Sequence, residues 1–567
     1  MVQLMLCLRG ERLTIKQSST LQGAMQQLAS PSAGFRLKRA IKANKWRLAF
    51  LAFAVIYAYL VTLSLGYMSP QWDEMPHLYG ALLLTRGQTQ AYLTTYGYYP
   101  PLLDIITTGY IQIFGVTPVA GRLVSVTFSL LALWIVFEFC NKIYGPKNAL
   151  IASILLGTMP GFFWVSRVTM LETMLIFFFT LVMFFFYSWI TKNSNKALLF
   201  SGLALGIGIL AEYEIVVAAV AMVASVLFFC RKRLKISLTK LIIILVIVVL
   251  VAAPWFIMVY QADGAKKFQT LQYVLQGGDE NRPVYSNRFF SPVFYLIEMT
   301  WPFNGAPVNP ISLPIFILGL CGLALFAYRR KKQDVFLFTW FIVVYVFFTL
   351  IPNRQWRYVT PLFPILAISA ACFIMFLYSK IHAWKPKQLG LSGGRFKKLA
   401  AALFIIIVAS TIFYSSYSAY EMTARDQVDI PIGETTNYLA SHLGQNQSAV
   451  IVCAFNLLDQ DMFRFYLPAN MSEYQIWQYP ALAVDAYTPN FNITEFVNLC
   501  EQHNVKYIIL YDYGSNTQFY NTTLTYSDIL QMIANTGRFG VPTDQPFFGQ
   551  MPNRLFLVRF NQTQTWH

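Results

Sequence analysis

The chain has 567 residues, of which 56% are hydrophobic, 16% aromatic and 12% charged, with a formal net charge of +17. Soluble domains carry roughly twice that share of charged residues, so a single soluble globule is excluded and a polytopic membrane protein is indicated. The basic excess does not call for nucleic acid, because in a membrane chain Lys and Arg first report topology.

Residues 1–45 form a Gln/Ser-rich and then basic tail, with Arg36, Lys38, Arg39, Lys42 and Lys45 leading into the first apolar block. The tail reads as a cytoplasmic topology determinant near anionic lipid. The block after it is long enough to span and has no cleavage pattern, so it reads as a signal anchor. A bilayer core asks for about 20 apolar residues per helix. Eleven segments approach this over residues 46–419: 46–67, 121–140, 148–166, 171–190, 197–212, 213–230, 239–260, 311–328, 334–351, 357–379 and 398–419. Two more, 101–115 and 291–303, are interrupted by Asp104, Glu298 and Pro302 and read as interfacial pieces or an extra helix pair, giving 11 to 13 helices. With the N-terminus inside, 28 of the 43 Lys and Arg residues fall on the inner side, as the positive-inside rule requires. Most carboxylates then fall at the outer ends of helices or beyond them.

Residues 420–567 change character. Helical patterns over Glu434–Leu443 and Thr494–His503 precede apolar runs at Ala449–Ala454 and Val505–Tyr511, with a late strand at Arg554–Phe560. A C-terminal extracytoplasmic α/β domain is expected. It holds five Asn-x-Ser/Thr sequons, at Asn446, Asn470, Asn492, Asn521 and Asn561, whereas residues 1–419 hold none, which suggests surface glycosylation. Cys453 and Cys500 are its two cysteines, suited either to a disulfide or to two buried thiols. No Cys/His pattern supports a metal centre, and Asp459-Gln460-Asp461 reads as a helix start rather than a metal motif.

The sharpest local feature is Gln71-Trp72-Asp73-Glu74-Met75-Pro76-His77, just past the first helix, since paired carboxylates at a membrane surface are costly unless solvated or used. Further ionisable residues sit at outer helix ends: Arg122, Arg167, Glu172, Glu212, Glu214, Arg354 and Arg357. Convergence of carboxylates and guanidinium groups on one face describes a cavity for an anionic headgroup and a base.

The order Trp72-Asp73-Glu74, Tyr98-Tyr99-Pro100-Pro101-Leu102, Phe114-Gly115, Gly121-Arg122-Leu123, Tyr144-Gly145, Ser166-Arg167 with Leu171-Glu172, and Arg357-Tyr358 with Pro361 and Pro364 resembles a known family. It is similar to the polyprenyl-phosphate-dependent glycosyltransferases of the C-type (GT-C) superfold, nearest in pattern to protein O-mannosyltransferases and lipid A aminoarabinose transferase. The resemblance covers about residues 46–380. It implies transfer of a sugar, with inversion, from a polyprenyl (dolichyl or undecaprenyl) phosphate to an acceptor hydroxyl on the outer face of the membrane. The acceptor is a glycan, lipid or protein. Asp73 would be the base and Glu74 would orient acceptor or loop. Arg122, Arg167, Glu172, Arg354, Arg357 and Tyr358 would serve the donor, and His77 and Tyr99 the acceptor side. No cofactor is called for, although a divalent metal is compatible with the acidic face. Where relatives carry a basic residue after the glycine-rich helix, this chain reads Glu212-Tyr213-Glu214, which leaves the phosphate contacts there open. The rival readings are a transporter, and a noncatalytic glycan-binding or assembly protein.

Overall fold

The computed structural model describes residues 33–70, 72–230, 234–275, 290–300, 309–352, 354–384, 393–425, 429–452, 458–468, 471–472, 475–480, 491–512, 526–542, 544–550 and 553–561. The chain divides into two compact units, Met1–Ala52 and Phe53–His567. In the first, the described part is the opening of helix α1 (Ala33–Thr62).

The second unit continues with two short helices, α2 (Met75–Thr85) and α3 (Thr89–Tyr96), then α4 (Leu102–Phe114) and the long α5 (Pro118–Tyr144). Next come α6 (Pro146–Thr158), α7 (Pro160–Val165), α8 (Glu172–Lys192), α9 (Asn195–Ala211) and α10 (Val216–Phe229). The helical region ends with α11 (Leu234–Asp263), α12 (Lys266–Leu275), α13 (Phe294–Glu298), α14 (Leu313–Arg329), α15 (Lys332–Leu350), α16 (Phe363–Ala383) and α17 (Gly393–Arg425).

Seven helices among the described residues are long and apolar enough to cross a membrane: Asn44–Thr62, Pro118–Tyr144, Glu172–Lys192, Ser237–Asp263, Lys332–Leu350, Trp356–Ala383 and Lys397–Ala424. The segments expected at 197–212, 213–230 and 311–328 are apolar helices of shorter length, and 101–115 forms α4. One expectation is corrected. The segment 148–166 is not a continuous helix, because Pro160 lacks the N–H that would continue α6 and instead starts α7. Helix α17 also runs past the compositional break, to Arg425.

The apolar residues divide between two environments. Inside the bundle, the Trp340 ring stacks on Phe179 at 5.2 Å and Phe139 at 6.4 Å. Outside it, Leu250 on α11 is 71% exposed and Ile407 on α17 is 62% exposed. Exposed aliphatic faces on long helices match a hydrocarbon solvent.

After α17 come α18 (Ile432–His442), β1 (Ser448–Val452), α19 (Gln460–Tyr466), β2 (Ile476–Tyr479), α20 (Ile493–Gln502), β3 (Val505–Asp512), α21 (Tyr526–Asn535), β4 (Phe539–Gly540), β5 (Phe547–Phe548) and β6 (Arg554–Phe560). The sheet order is β2-β1-β3-β6-β4, with β5 also on β6. Strand β1 is parallel to β2 and β3, and β6 is antiparallel to β3. Because strand side chains alternate in direction, the sheet buries two faces. Val450, Val452, Ile508 and Leu510 pack with Phe496 and Ile529 of α20 and α21. Ala449, Ile451, Tyr507 and Ile509 share a core with Met462 of α19 and with Met75, Leu78, Tyr92 and Tyr96 of α2 and α3. The second core welds this domain to the two short helices that follow α1.

Asn446 is exposed at a turn, Asn492 is exposed and caps α20 through its side chain, and Asn561 is half-buried after β6. Asn470, Asn521 and Cys453 lie outside the described residues, so the Cys453–Cys500 expectation does too; Cys500 is buried in α20. Asp459 caps α19 by accepting from the Met462 amide at 2.9 Å, the helix start expected there.

Candidate active site at the ends of the helices

Trp72–Glu74 form a single 3-10 turn ahead of α2. With about three residues per turn, neighbouring side chains leave such a turn in different directions, and the two carboxylates separate. Glu74 turns inward and is fully buried. Its Oε1 accepts from Arg122 Nε at 2.9 Å and from the Thr169 amide at 2.8 Å, and its Oε2 accepts from Arg122 at 2.8 Å. Arg122 also donates to the carbonyls of Leu65, Met68 and Ser69 at 2.7–3.1 Å. All five guanidinium donors are thereby engaged. Gly121 permits this approach, since a Cβ there would lie 2.5 Å from Thr169 and 2.7 Å from Leu78.

Arg122, expected on the donor phosphate, turns its N–H groups to the protein here. Its donors already close the loop after α1, and a buried arginine without its carboxylate would be an uncompensated charge. Of the two roles implied for Glu74, orienting acceptor or loop, the contacts support the loop. Arg167 likewise donates to the Val61 carbonyl at 2.7 Å, tying α1 to the α7–α8 turn.

Asp73 turns the other way, with its side chain 49% exposed, and meets Arg357 at 3.0 Å. Arg357 also faces Glu172 in the first turn of α8 at 3.5 Å and donates to Gln355 Oε1 at 3.0 Å. Glu212 and Glu214 follow α9 close enough to act electrostatically on Glu172 and on each other. Tyr358 stacks on Phe348 at 6.4 Å, and the buried Arg354 donates to the Thr349 carbonyl at 3.1 Å.

The Tyr98 and Tyr99 rings pack at 4.3 Å, and Tyr99 meets the edge of His77 at 5.0 Å. Burial pushes the Tyr98 phenol up to about 12 and holds that of Tyr99 well above its ordinary value. His77 Nδ1 lies 2.7 Å from Asp104 Oδ1, and Tyr92 donates its hydroxyl to Asp104 Oδ2 at 2.7 Å. In the sequence Asp104 is only an interruption of an apolar run, and nothing local marks Tyr92. A lone carboxylate inside such a run is itself a signal of a buried partner. Among the described residues, no group of three His, Cys, Asp or Glu side chains has the arrangement to hold a metal ion.

One half-exposed carboxylate beside a guanidinium, next to an acidic and aromatic wall, is suited to handling a polar headgroup at a helix-end surface. Residues 99–257 match the family described as dolichyl-phosphate-mannose-protein mannosyltransferase. Over 401 residues, 66% of this chain and 66% of the relative, the sequence is 24% identical to an undecaprenyl phosphate-alpha-4-amino-4-deoxy-L-arabinose arabinosyl transferase of Proteus mirabilis. The match thus spans just under two thirds of that relative's length. The fold is similar to crystal structures of ArnT from Cupriavidus metallidurans. The apo form gives a TM-score of 0.60 at 14% identity over 91% of this chain and 98% of ArnT. A second ArnT structure is bound to undecaprenyl phosphate. The archaeal oligosaccharyltransferase AglB from Archaeoglobus fulgidus, in complex with an inhibitory peptide and a dolichol-phosphate, gives a TM-score of 0.52 at 13% identity, over 82% of this chain and 69% of AglB.

The fold is therefore the one seen in ArnT and AglB. In sequence the chain resembles an aminoarabinose transferase and the family described as dolichyl-phosphate-mannose-protein mannosyltransferase, as its motif order indicated.

Proposed function

We propose that the chain is a glycosyltransferase that moves a sugar from a polyprenyl-phosphate donor to an acceptor hydroxyl at the outer face of the cell membrane, with its C-terminal domain extracytoplasmic. The observation that carries this reading is the line Asp73–Arg357–Glu172 at the helix ends. The structural neighbours bound to undecaprenyl phosphate and in complex with a dolichol-phosphate support the donor class.

In this reading Arg357 receives the donor phosphate, because a guanidinium matches two phosphate oxygens at once. Phosphate then competes with Asp73 for Arg357, so donor binding releases the base at the moment it is needed. The acceptor oxygen attacks the anomeric carbon from the face opposite the phosphate while its proton passes to Asp73. The bond from anomeric carbon to phosphate oxygen breaks, and its electron pair leaves with the lipid phosphate. Inversion follows from this single displacement. An alcohol is a poor nucleophile at neutral pH, so the step needs one proton acceptor, whereas phosphate leaves without an acid. Tyr358, Glu172 and Arg354 shape the donor side, and Tyr99 the acceptor side.

The test is to incubate the purified protein with a panel of polyprenyl-phosphate sugars and extracted envelope acceptors, and to follow the acceptor mass. A gain of one sugar residue, dependent on the lipid donor, supports the reading; no transfer and no binding of any polyprenyl phosphate overturns it.

A further inference from the structure

Among the described residues, two carboxylates share the Arg357 guanidinium. Asp73 and Glu172 both pair with Arg357, and Glu214 lies near enough to act on it electrostatically. Arg122 is closed by its own hydrogen bonds, and Arg167 and Arg354 each hold a backbone carbonyl. A phosphate entering this surrounding meets repulsion unless a second positive group faces it.

His77 has the geometry for that part. Asp104 fixes its Nδ1, and Tyr92 fixes Asp104. Gly80, one turn along α2, makes room for the arrangement: a Cβ there would lie 3.0 Å from the Tyr92 ring and 3.4 Å from Asp104 Oδ2. Among the described residues, His77 Nε2 has no hydrogen-bond partner. With Nδ1–H directed at Asp104, Nε2 carries a proton only when the imidazole is charged, and it then becomes a donor for an anion.

We infer that His77, oriented by Asp104 and Tyr92, is the second cation for the phosphate of the lipid-linked donor, binding it through Nε2–H beside Arg357. This rests on the donor class proposed above and moves His77 from the acceptor side, where the motif order had set it, to the phosphate.

Burial pulls the imidazole down, but the Asp104 carboxylate at hydrogen-bond distance raises it, Glu212 and Glu172 add to the rise, and the net shift is above the usual 6.5. The titratable groups facing it are Asp104 on α4, Tyr92 on α3, Tyr99 ahead of α4, Glu172 on α8 and Glu212 after α9. On the other sides of α2 lie the Glu74–Arg122 pair and, toward α19, Tyr96 with Asp461 and Arg464.

The experiment measures binding of undecaprenyl phosphate to the detergent-purified full chain between pH 5.5 and 9, for the wild type, His77→Gln, His77→Lys and Asp104→Asn, with thermal unfolding recorded for each. Comparing variants at each pH removes the titration of the lipid phosphate itself. His77→Gln should weaken binding about 10- to 100-fold at pH 6, the loss expected for one charge-assisted hydrogen bond, and the gap should close as pH rises and the wild-type imidazole deprotonates. His77→Lys should restore binding and extend it to pH 9. Asp104→Asn should move the wild-type loss of binding to lower pH. A gap that does not change with pH, or weakening that only follows lost thermal stability without rescue by lysine, overturns the inference. Failure of the wild type to bind the lipid at all would instead overturn the proposed donor class.

Discussion

The carboxylates of Asp73 and Glu74 are adjacent in sequence yet belong to different arrangements: Glu74 is sealed against Arg122 at 2.8 Å, while Asp73 meets Arg357 at the exposed side of the same turn. The buried pair holds the turn from which the exposed carboxylate projects.

Asp73→Asn keeps the size and polarity of the side chain and removes the proposed proton acceptor. Transfer is expected to fall by about 10²–10⁴, with donor binding unchanged or tighter because Arg357 loses a competitor. Turnover and lipid-phosphate binding measured on the same preparation decide this, and near-normal turnover would sink the mechanism.

Glu74→Gln is expected to act on folding. It leaves Arg122 charged and buried without its counter-ion, a loss of about 3–5 kcal/mol. Yield and thermal stability should drop together with activity, and the surviving folded fraction should keep its donor affinity. A stable Glu74→Gln protein with poor turnover would instead put Glu74 in the chemistry.

Asp459 provides a pH prediction. Burial, and then the nearby Asp461 carboxylate, push it up to about 7 from 3.8. A carboxyl with a raised folded value is favoured protonated, so its contribution is fully present below about pH 3.8 and is lost as pH rises toward 7. Asp459→Asn keeps the cap on α19 without the charge. It should be more stable than the wild type above pH 7 and equal to it near pH 4. Unfolding curves at the two pH values check this; a destabilised variant at pH 8 would contradict it.

A reporter fused after His567 should be active only outside the cytoplasm, and protease added to intact cells should reach the region after Arg425. Cytoplasmic reporter activity would overturn both the helix parity and the proposed location of the site.

The sequence by itself determined the class of molecule. Long apolar blocks separated by basic clusters have few solutions other than a helical membrane bundle, and local periodicity marked α18, β1, α20, β3 and β6 to within a few residues. It also marked Asp73, because an acidic pair beside an apolar block is a local feature. What it left undecided depended on which distant side chains meet. Arg122 and Arg357 look alike in sequence, each opening an apolar segment, yet one is enclosed by three carbonyls and a carboxylate while the other faces Asp73 and Glu172. His77, Asp104 and Tyr92 form one hydrogen-bonded unit only because α2, α3 and α4 fold against each other, with Gly80 at the point of closest approach. Periodicity reports which face of a helix is buried, not which partner covers it, and partner choice among buried charges is decided by tertiary packing, where burial makes an unmatched charge too costly to leave.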